Sequence, residues 1–357
     1  MREGRFNFHP IVQMLIMAGA GYFFYILEHL FQRYAAPVLT LPECTTVGYI
    51  TAVWMLNAAS GPSPLSVPMA FALVFYGPEI WAMMHATFPE WWHFAIVAAA
   101  IASVVYWVNG LLLLCIELFW FPERLAKFKI QKNRPHKWVG DKKGQFGKTW
   151  EWNWPQVWAV TRNIISGQLF GILPCSFVLW GLHGRGFGIY LSEAPPNPWI
   201  ITHDIFLYAV VNEITFYYAH RMLHWGPFYR WIHKVHHEFT APVGLVAAYC
   251  HWVEMILANV VPLFLGAILA GSHGFTLMTW IVYAVLGTQT HHCGFHWPWM
   301  SHDHQPTFHD YHHEAFEANY GTLGWLDFLH GTDGNREATA AKKAAKAAAK
   351  ARAAKSS

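Results

Sequence analysis

Charge is scarce in this chain. Only 13% of its 357 residues are Asp, Glu, Lys or Arg, whereas 54% are hydrophobic and 17% aromatic. Those proportions exclude an ordinary soluble globule and point to an integral membrane protein. With a formal charge of +3 and so many apolar runs, the chain is also not a nucleic-acid binder. Cysteine offers no framework: Cys44, Cys115, Cys175, Cys250 and Cys293 are odd in number and form no CxxC pair. That argues against a disulfide scaffold and a thiolate zinc site, and leaves buried thiols. The glutamate base of HExxH zinc hydrolases is missing too, because HRMLH holds Arg221, Met222 and Leu223 between His220 and His224. The apolar run that follows Arg2 and Arg5 has no small-residue cleavage site and ends at Glu28 and His29, so it reads as a retained anchor.

What is present is long apolar runs, at 10–31, 65–86, 94–121, 157–182, 199–218 and 253–290. Several reach the roughly 20 residues that a helix needs to cross a bilayer. The last contains Gly271, Ser272, His273 and Gly274 at its middle and is expected to fold as two helices around a turn. Glu79 and Glu117 lie inside apolar runs, where an acid is costly and faces a partner or a cavity. Nine of the 24 Lys and Arg fall between Arg124 and Lys148, and seven more between Arg336 and Lys355, which places both stretches in the cytosol. The resulting division is an N-terminal set of membrane anchor helices (1–121), a basic cytosolic connector (122–156), a histidine-rich domain (157–335) and a low-complexity Ala/Lys tail (336–357). The connector suits anionic headgroups or an acidic electron carrier.

Histidine is the exception to the polar scarcity. Fifteen of 23 fall between His220 and His313, while His9, His29, His85 and His93 stand alone and read as structural or interfacial. His220 and His224 are spaced i, i+4; His233, His236 and His237 are spaced i, i+3, i+4, which on helices gathers them on one face. The pattern recurs as His292 and His296, then His309, His312 and His313, and HDYHHE repeats the shape of HKVHHE. So many neutral imidazoles need a common acceptor, since unsatisfied buried polar groups cost a few kcal/mol each. A metal supplies it more readily than a pH-sensing or solvated patch would.

Imidazole suits zinc, copper, iron and nickel. Ten histidines in two matched sets exceed the needs of one ion, whereas two six-coordinate ions with about five nitrogens each keep positions open for oxygen. That count favours a dinuclear iron site with ligands His220, His224, His233, His236, His237, His292, His296, His309, His312 and His313. His291 is i, i+5 from His296 and is left over; His302 and His304 fit no period; His251 is a candidate to orient a ligand. Glu213, Glu238, Glu254, Asp310 and Glu314 are candidate acceptors for the imidazoles' other N–H.

HRMLH, HKVHH and HDYHH together resemble the three histidine boxes of the fatty acid hydroxylase and sterol desaturase superfamily of membrane non-haem diiron enzymes. FKIQK at 128–132, NEITFYYAHRMLH, YRWIHKVHHEFTAPVGLVAAYCHWVE and WLDFLHGTD look most like C-4 methylsterol oxidases, and the resemblance covers roughly 117–335. Where those oxidases carry a THSGYDFPW-like segment this chain has HHCGFHWPW, so His292 matches the motif and His296 replaces an aspartate; in related hydroxylases a histidine at that spacing binds metal. The resemblance implies an all-α integral membrane bundle with a cytosol-facing, histidine-rich cap holding two irons over a tunnel into the bilayer of the endoplasmic reticulum. It also implies electrons from NAD(P)H through a reductase and cytochrome b5. The expected activity is O2-dependent oxidation of an unactivated C–H bond in a sterol-like lipid, as in sterol biosynthesis. A fatty acyl or other lipid hydroxylase or desaturase is the alternative within the class, and a membrane metal carrier is the alternative outside it. Phe216, Tyr217, Tyr218 and Trp252 lie beside the boxes and are candidates for the substrate's apolar route.

Overall fold

The computed structural model describes residues 48–53 and 56, 65–119, 126–131, 154–182, 188–297, 305–335 and 339. The run at 10–31, most of the basic connector, His302, His304 and all of the Ala/Lys tail but Thr339 lie outside the described residues. Among the described residues the chain is helical. It has no named strand, and only two isolated bridges occur, Lys129 with Phe295 and Tyr190 with His273.

The long helices are α1 (Ser66–Thr87), α2 (Trp91–Phe119), α3 (Trp154–Gly181), α4 (Pro198–Leu223), α6 (Trp252–Ala270) and α7 (Gly274–His291). The shorter ones, α5 (Gly226–Trp231), α8 (Gln305–Ala315) and α9 (Trp325–His330), all belong to the histidine-bearing region. By length and composition α2, α3 and α6 are able to cross a membrane among the described residues. The run at 199–218 differs. Its helix, α4, is not among these and buries Thr202, Asp204 and Glu213 inside the bundle. The run at 253–290 divides as its glycines predict: Gly271 takes φ +60 and ends α6, and the His273 side chain accepts from the Phe275 N–H to start α7.

Apolar side chains from α2, α3, α4, α6 and α7 form the main core, with Trp180, Tyr208 and Tyr283 among its largest buried members. α4 and α6 approach closely because Gly266 faces the Tyr208 backbone, where a Cβ would sit 2.7 Å from Tyr208 Cα. Two π-helical turns interrupt the bundle, at Gln168–Ile172 in α3 and Met255–Val260 in α6. They face each other across Met255, whose side chain lies against Gly167 and Gly171. Such turns cost regular hydrogen bonding and are frequent beside functional sites; here both border the cavity described below.

The segment 126–131 is built into the fold. Lys129 and Gln131 are buried, and Lys129 forms a buried ion pair with Glu117 at the end of α2. Glu117, the acid singled out within an apolar run, thus has its partner in the first residues of the connector. Ile130 N–H donates to Gly294 O and His296 N–H donates to Phe128 O, clasping the segment to the loop after α7. Gln131 Nε2 donates to Thr240 O (2.7 Å) and to Asp310 Oδ1 (2.9 Å), tying it to the second and third histidine boxes.

Candidate metal centre

The last turn of α4 carries His220, and His224 caps it. His233, His236 and His237 sit on a 3₁₀ turn, His233–Glu238, rather than on an α-helix. His292 caps the end of α7, and α8 carries His309, His312 and His313.

Nine of the ten expected histidines converge, in two sets. His220, His224, His233, His237 and His312 form one, and His236, His292, His309 and His313 form the other. Each i, i+4 pair stays within one set while the residue between crosses to the other. HKVHH gives His233 and His237 to the first set and His236 to the second. HDYHH gives His309 and His313 to the second and His312 to the first. The repeated motif is therefore a reciprocal exchange that binds the two sets together.

His296 stands apart from both sets. The i, i+4 spacing to His292 holds only on a continuing helix, and α7 ends at His291. Gly294 then turns the chain at φ +73, and His296 continues along the 128–130 segment, in neither set. His251 has a local role: its Nδ1 accepts from Val253 N–H and caps α6. His291, left over by its spacing, lines the cavity.

Within each set the Nε2 atoms nearly touch. In the first set His220 and His233 are 3.1 Å apart, His233 and His237 3.0 Å, His237 and His312 3.1 Å, and His224 and His312 3.2 Å. In the second set His292 and His309 are 2.9 Å apart, His309 and His313 3.2 Å, and His236 and His292 3.3 Å. Backbone carbonyls fix which nitrogen carries the proton. Nδ1–H donates to Tyr320 O from His220 (2.8 Å), to Tyr249 O from His236 (3.2 Å) and to Thr288 O from His292 (2.7 Å). His312 and His313 donate likewise to Ala318 O (2.6 Å) and Phe239 O (3.0 Å). A neutral imidazole protonated at Nδ1 has a lone pair at Nε2, so lone pairs converge where each repels the next. A cation resolves the clash. Two nitrogens about 2.1 Å from a common ion and at right angles to it stand about 3.0 Å apart, which matches the spacings here. The donor set fits resident metal.

Of the five acids expected to accept imidazole N–H, Glu254 comes within reach of one, its Oε1 lying 2.9 Å from His233 Nδ1 but without the alignment of a hydrogen bond. Glu213 holds the loop after α8 instead. Its Oε2 accepts from Thr322 N–H (2.7 Å), Leu323 N–H (2.7 Å) and the Thr322 hydroxyl (2.9 Å), and its Oε1 from Trp325 N–H (3.1 Å). Asp327 accepts from Tyr320 N–H (2.8 Å) and Gly321 N–H (2.6 Å) in the same loop, and burial pushes its carboxyl up to about 6. This loop supplies the Tyr320 carbonyl that orients His220. Glu238 accepts from the Tyr249 hydroxyl.

Burial lowers the histidine pKa values throughout. His236 falls to about 4, and His233, His237, His309, His312 and His313 fall well below their ordinary value, by desolvation first and by neighbouring imidazoles second where those contribute. The rings are neutral and ready to bind. With metal removed, a base depressed in the folded state stabilises the fold above its unfolded pKa, near 6.5, and that stability is lost as pH falls toward about 4. His236 alone accounts for about 3 kcal/mol. Chelator-treated protein is therefore expected to melt at a markedly lower temperature at pH 5 than at pH 7.5, as thermal unfolding in detergent will read.

A cavity of about 1270 Å³, counting its open mouth, lies against both sets, with His220, His233, His236, His292 and His309 in its wall. Away from the histidines it is lined by Ile172, Met255, Ala258, Leu263, Trp280 and Val285. Of the four aromatics expected along a substrate route, Phe216 lines it; Tyr217 is buried against His330, and Tyr218 and Trp252 are exposed.

A family model for fatty acid hydroxylase matches residues 205–332. Fatty acid hydroxylase domain-containing protein 2 of Macaca fascicularis is 34% identical over 263 residues, covering 71% of each chain. Very-long-chain aldehyde decarbonylase GL1-11 of Oryza sativa subsp. japonica is 30% identical, covering 71% of this chain and 90% of the relative. Methylsterol monooxygenase erg25B of Aspergillus fumigatus is 32% identical, covering 55% of this chain and 69% of the relative. No solved structure matches.

Proposed function

This chain belongs to the fatty acid hydroxylase family, and on that premise we propose that it is a membrane-bound non-haem diiron oxygenase oxidising an unactivated C–H bond of a sterol or sterol-like lipid. The observation that carries the reading is the convergence of nine imidazole nitrogens, five and four, at the wall of a largely apolar cavity. When bound, two irons supply reductive activation of dioxygen. The chain's own part is to hold and exclude. Carbonyls of Tyr320, Tyr249, Thr288, Ala318 and Phe239 fix five rings with Nε2 inward. Five and four nitrogens leave positions open on six-coordinate ions, and the apolar wall admits a lipid tail while keeping bulk water out. His296 is withdrawn from the ligand set.

Electrons are assigned to NAD(P)H through a reductase and cytochrome b5. The basic residues between Lys132 and Lys148 are the proposed docking surface, Lys129 being buried against Glu117. The placement of Lys and Arg favours a metal site toward the cytosol, and the family resemblance an endoplasmic reticulum membrane. A fatty acyl substrate is the second reading, favoured by the length over which the aldehyde decarbonylase matches. A metal carrier fits less well, because the ligands form one compact centre instead of a series across the bilayer.

The test is incubation of the purified chain with an electron donor, ¹⁸O₂ and either a 4,4-dimethyl sterol or a long-chain acyl lipid. Label in the sterol product supports the first reading. Label only in the acyl product moves the assignment to the second, and oxygen-independent behaviour with both rejects the oxygenase.

A further inference from the structure

The cavity beside the metal centre has an inner end, and the packing of three helices closes it. On α7 its wall is made by Trp280, Ala284, Val285, Thr288, His291 and, at the cap, His292, one helical stripe that ends at the metal centre. Trp280 and His292 are twelve residues apart, so the stripe is about 18 Å long. Beyond Trp280 the lining of α7 stops: Leu277, a turn farther from the histidines, is fully buried in the main core. The other two helices end their lining at the same level. Asn212 of α4 and Leu263 of α6 face the cavity. About one turn farther on, Tyr208 and Gly266 are pressed together, with Tyr208 Cα 2.7 Å from the place of a Gly266 Cβ.

Trp280 spans this junction. Its indole N–H donates to Leu263 O (3.1 Å), and its ring meets Tyr208 edge to face with centroids 5.8 Å apart. Anchored on both sides and 3% exposed, it is a fixed floor. Around it the wall is apolar, at Leu263, Ala284 and Val285, whereas the imidazoles stand at the opposite end.

We propose that Trp280 is the depth stop of the lipid cavity: the apolar end of the substrate rests on its indole, and the distance from there to the histidine sets selects the carbon that is oxidised. The inference rests on the oxygenase reading and deepens it. The substrate class is a lipid whose oxidised carbon lies no more than about 18 Å from its apolar end. Such a stop measures length, and a straight acyl tail and a sterol with its side chain are measured alike. Interiors are close-packed, so a tail that overreaches has to push against a side chain that cannot yield.

The test is equilibrium competition binding in phosphatidylcholine nanodiscs with two probe series of increasing length, 4,4-dimethyl sterols with longer and longer side chains and straight-chain fatty alcohols. In the native chain affinity is expected to hold up to a limiting length and then to fall at least about fivefold at the next longer member, the low end of the cost of overpacking. Trp280→Leu removes the floor and is expected to move that limit to longer tails. Ala284→Leu places a side chain about 6 Å nearer the metal on the same stripe and is expected to move it to shorter ones. Thermal unfolding identifies folded variants; should Trp280→Leu not fold, Trp280→Phe, which keeps a ring against Tyr208, takes its place with the same expected direction. A limit that shifts outward in the first variant and inward in the second, in either series, upholds the proposal, and the series that shows it identifies the lipid class. A native chain with no limit, a limit unmoved by both variants, or binding of neither series overturns it. Binding is read without turnover, so a failure of the oxygenase reading with ¹⁸O₂ is a separate result.

Discussion

Replacing His236 by alanine is expected to remove metal from the four-nitrogen set and to lower oxygen-dependent turnover by at least about a hundredfold. Partners that only orient a metal ligand already cost about 10–100-fold when removed; a ligand itself should cost no less. His236 is fully engaged, with Nδ1 on Tyr249 O and Nε2 3.3 Å from His292 Nε2, and it lines the cavity. Among the described residues no further imidazole joins this set. The matched control is His296→Ala, which belongs to neither set and is expected to keep metal content and turnover within about twofold. Metal analysis of the purified variants with product assays reads both. Normal turnover in His236→Ala would end the oxygenase reading, and metal loss in His296→Ala would restore that residue to the ligands.

Glu213→Gln is expected to be the most damaging substitution outside the nine histidines. Glu213 is fully buried in α4 and gathers the amides of Thr322, Leu323 and Trp325 together with the Thr322 hydroxyl. A glutamine turns one acceptor into a donor and removes the charge those N–H groups point to. The loss should be about 3–5 kcal/mol, the range for breaking a buried charged pairing. The effect should also reach the metal, since the loop held by Glu213 carries Tyr320, whose carbonyl orients His220. Gly321 leaves no room for rearrangement: a Cβ there would stand 2.7 Å from Glu213 Oε1 and 2.9 Å from Asp327 Oδ2. Thermal unfolding in detergent and metal content should fall together. A variant that melts as the native chain does, with its metal retained, would show that the loop is held by other contacts.

The sequence by itself determined the helical membrane class and singled out nine histidines that the fold brings together in two clusters able to hold metal. Those properties are local: a run of apolar residues and an i, i+4 pair of imidazoles have their meaning within one or two helical turns. Glu117 and Glu254 were also visible as acids of interest, though without their partners. Tertiary structure decided the rest because the deciding contacts are far apart in the chain. It divided the histidines five and four by crossing the middle residue of each triplet, and it removed His296 by ending α7 one residue before His292. It also paired Glu117 with Lys129, drew FKIQK from the basic connector into the scaffold, and gave most imidazole N–H groups to backbone carbonyls where acids were expected. A spacing rule assumes that the helix continues; only packing determines where it stops and which distant carbonyl meets the ring.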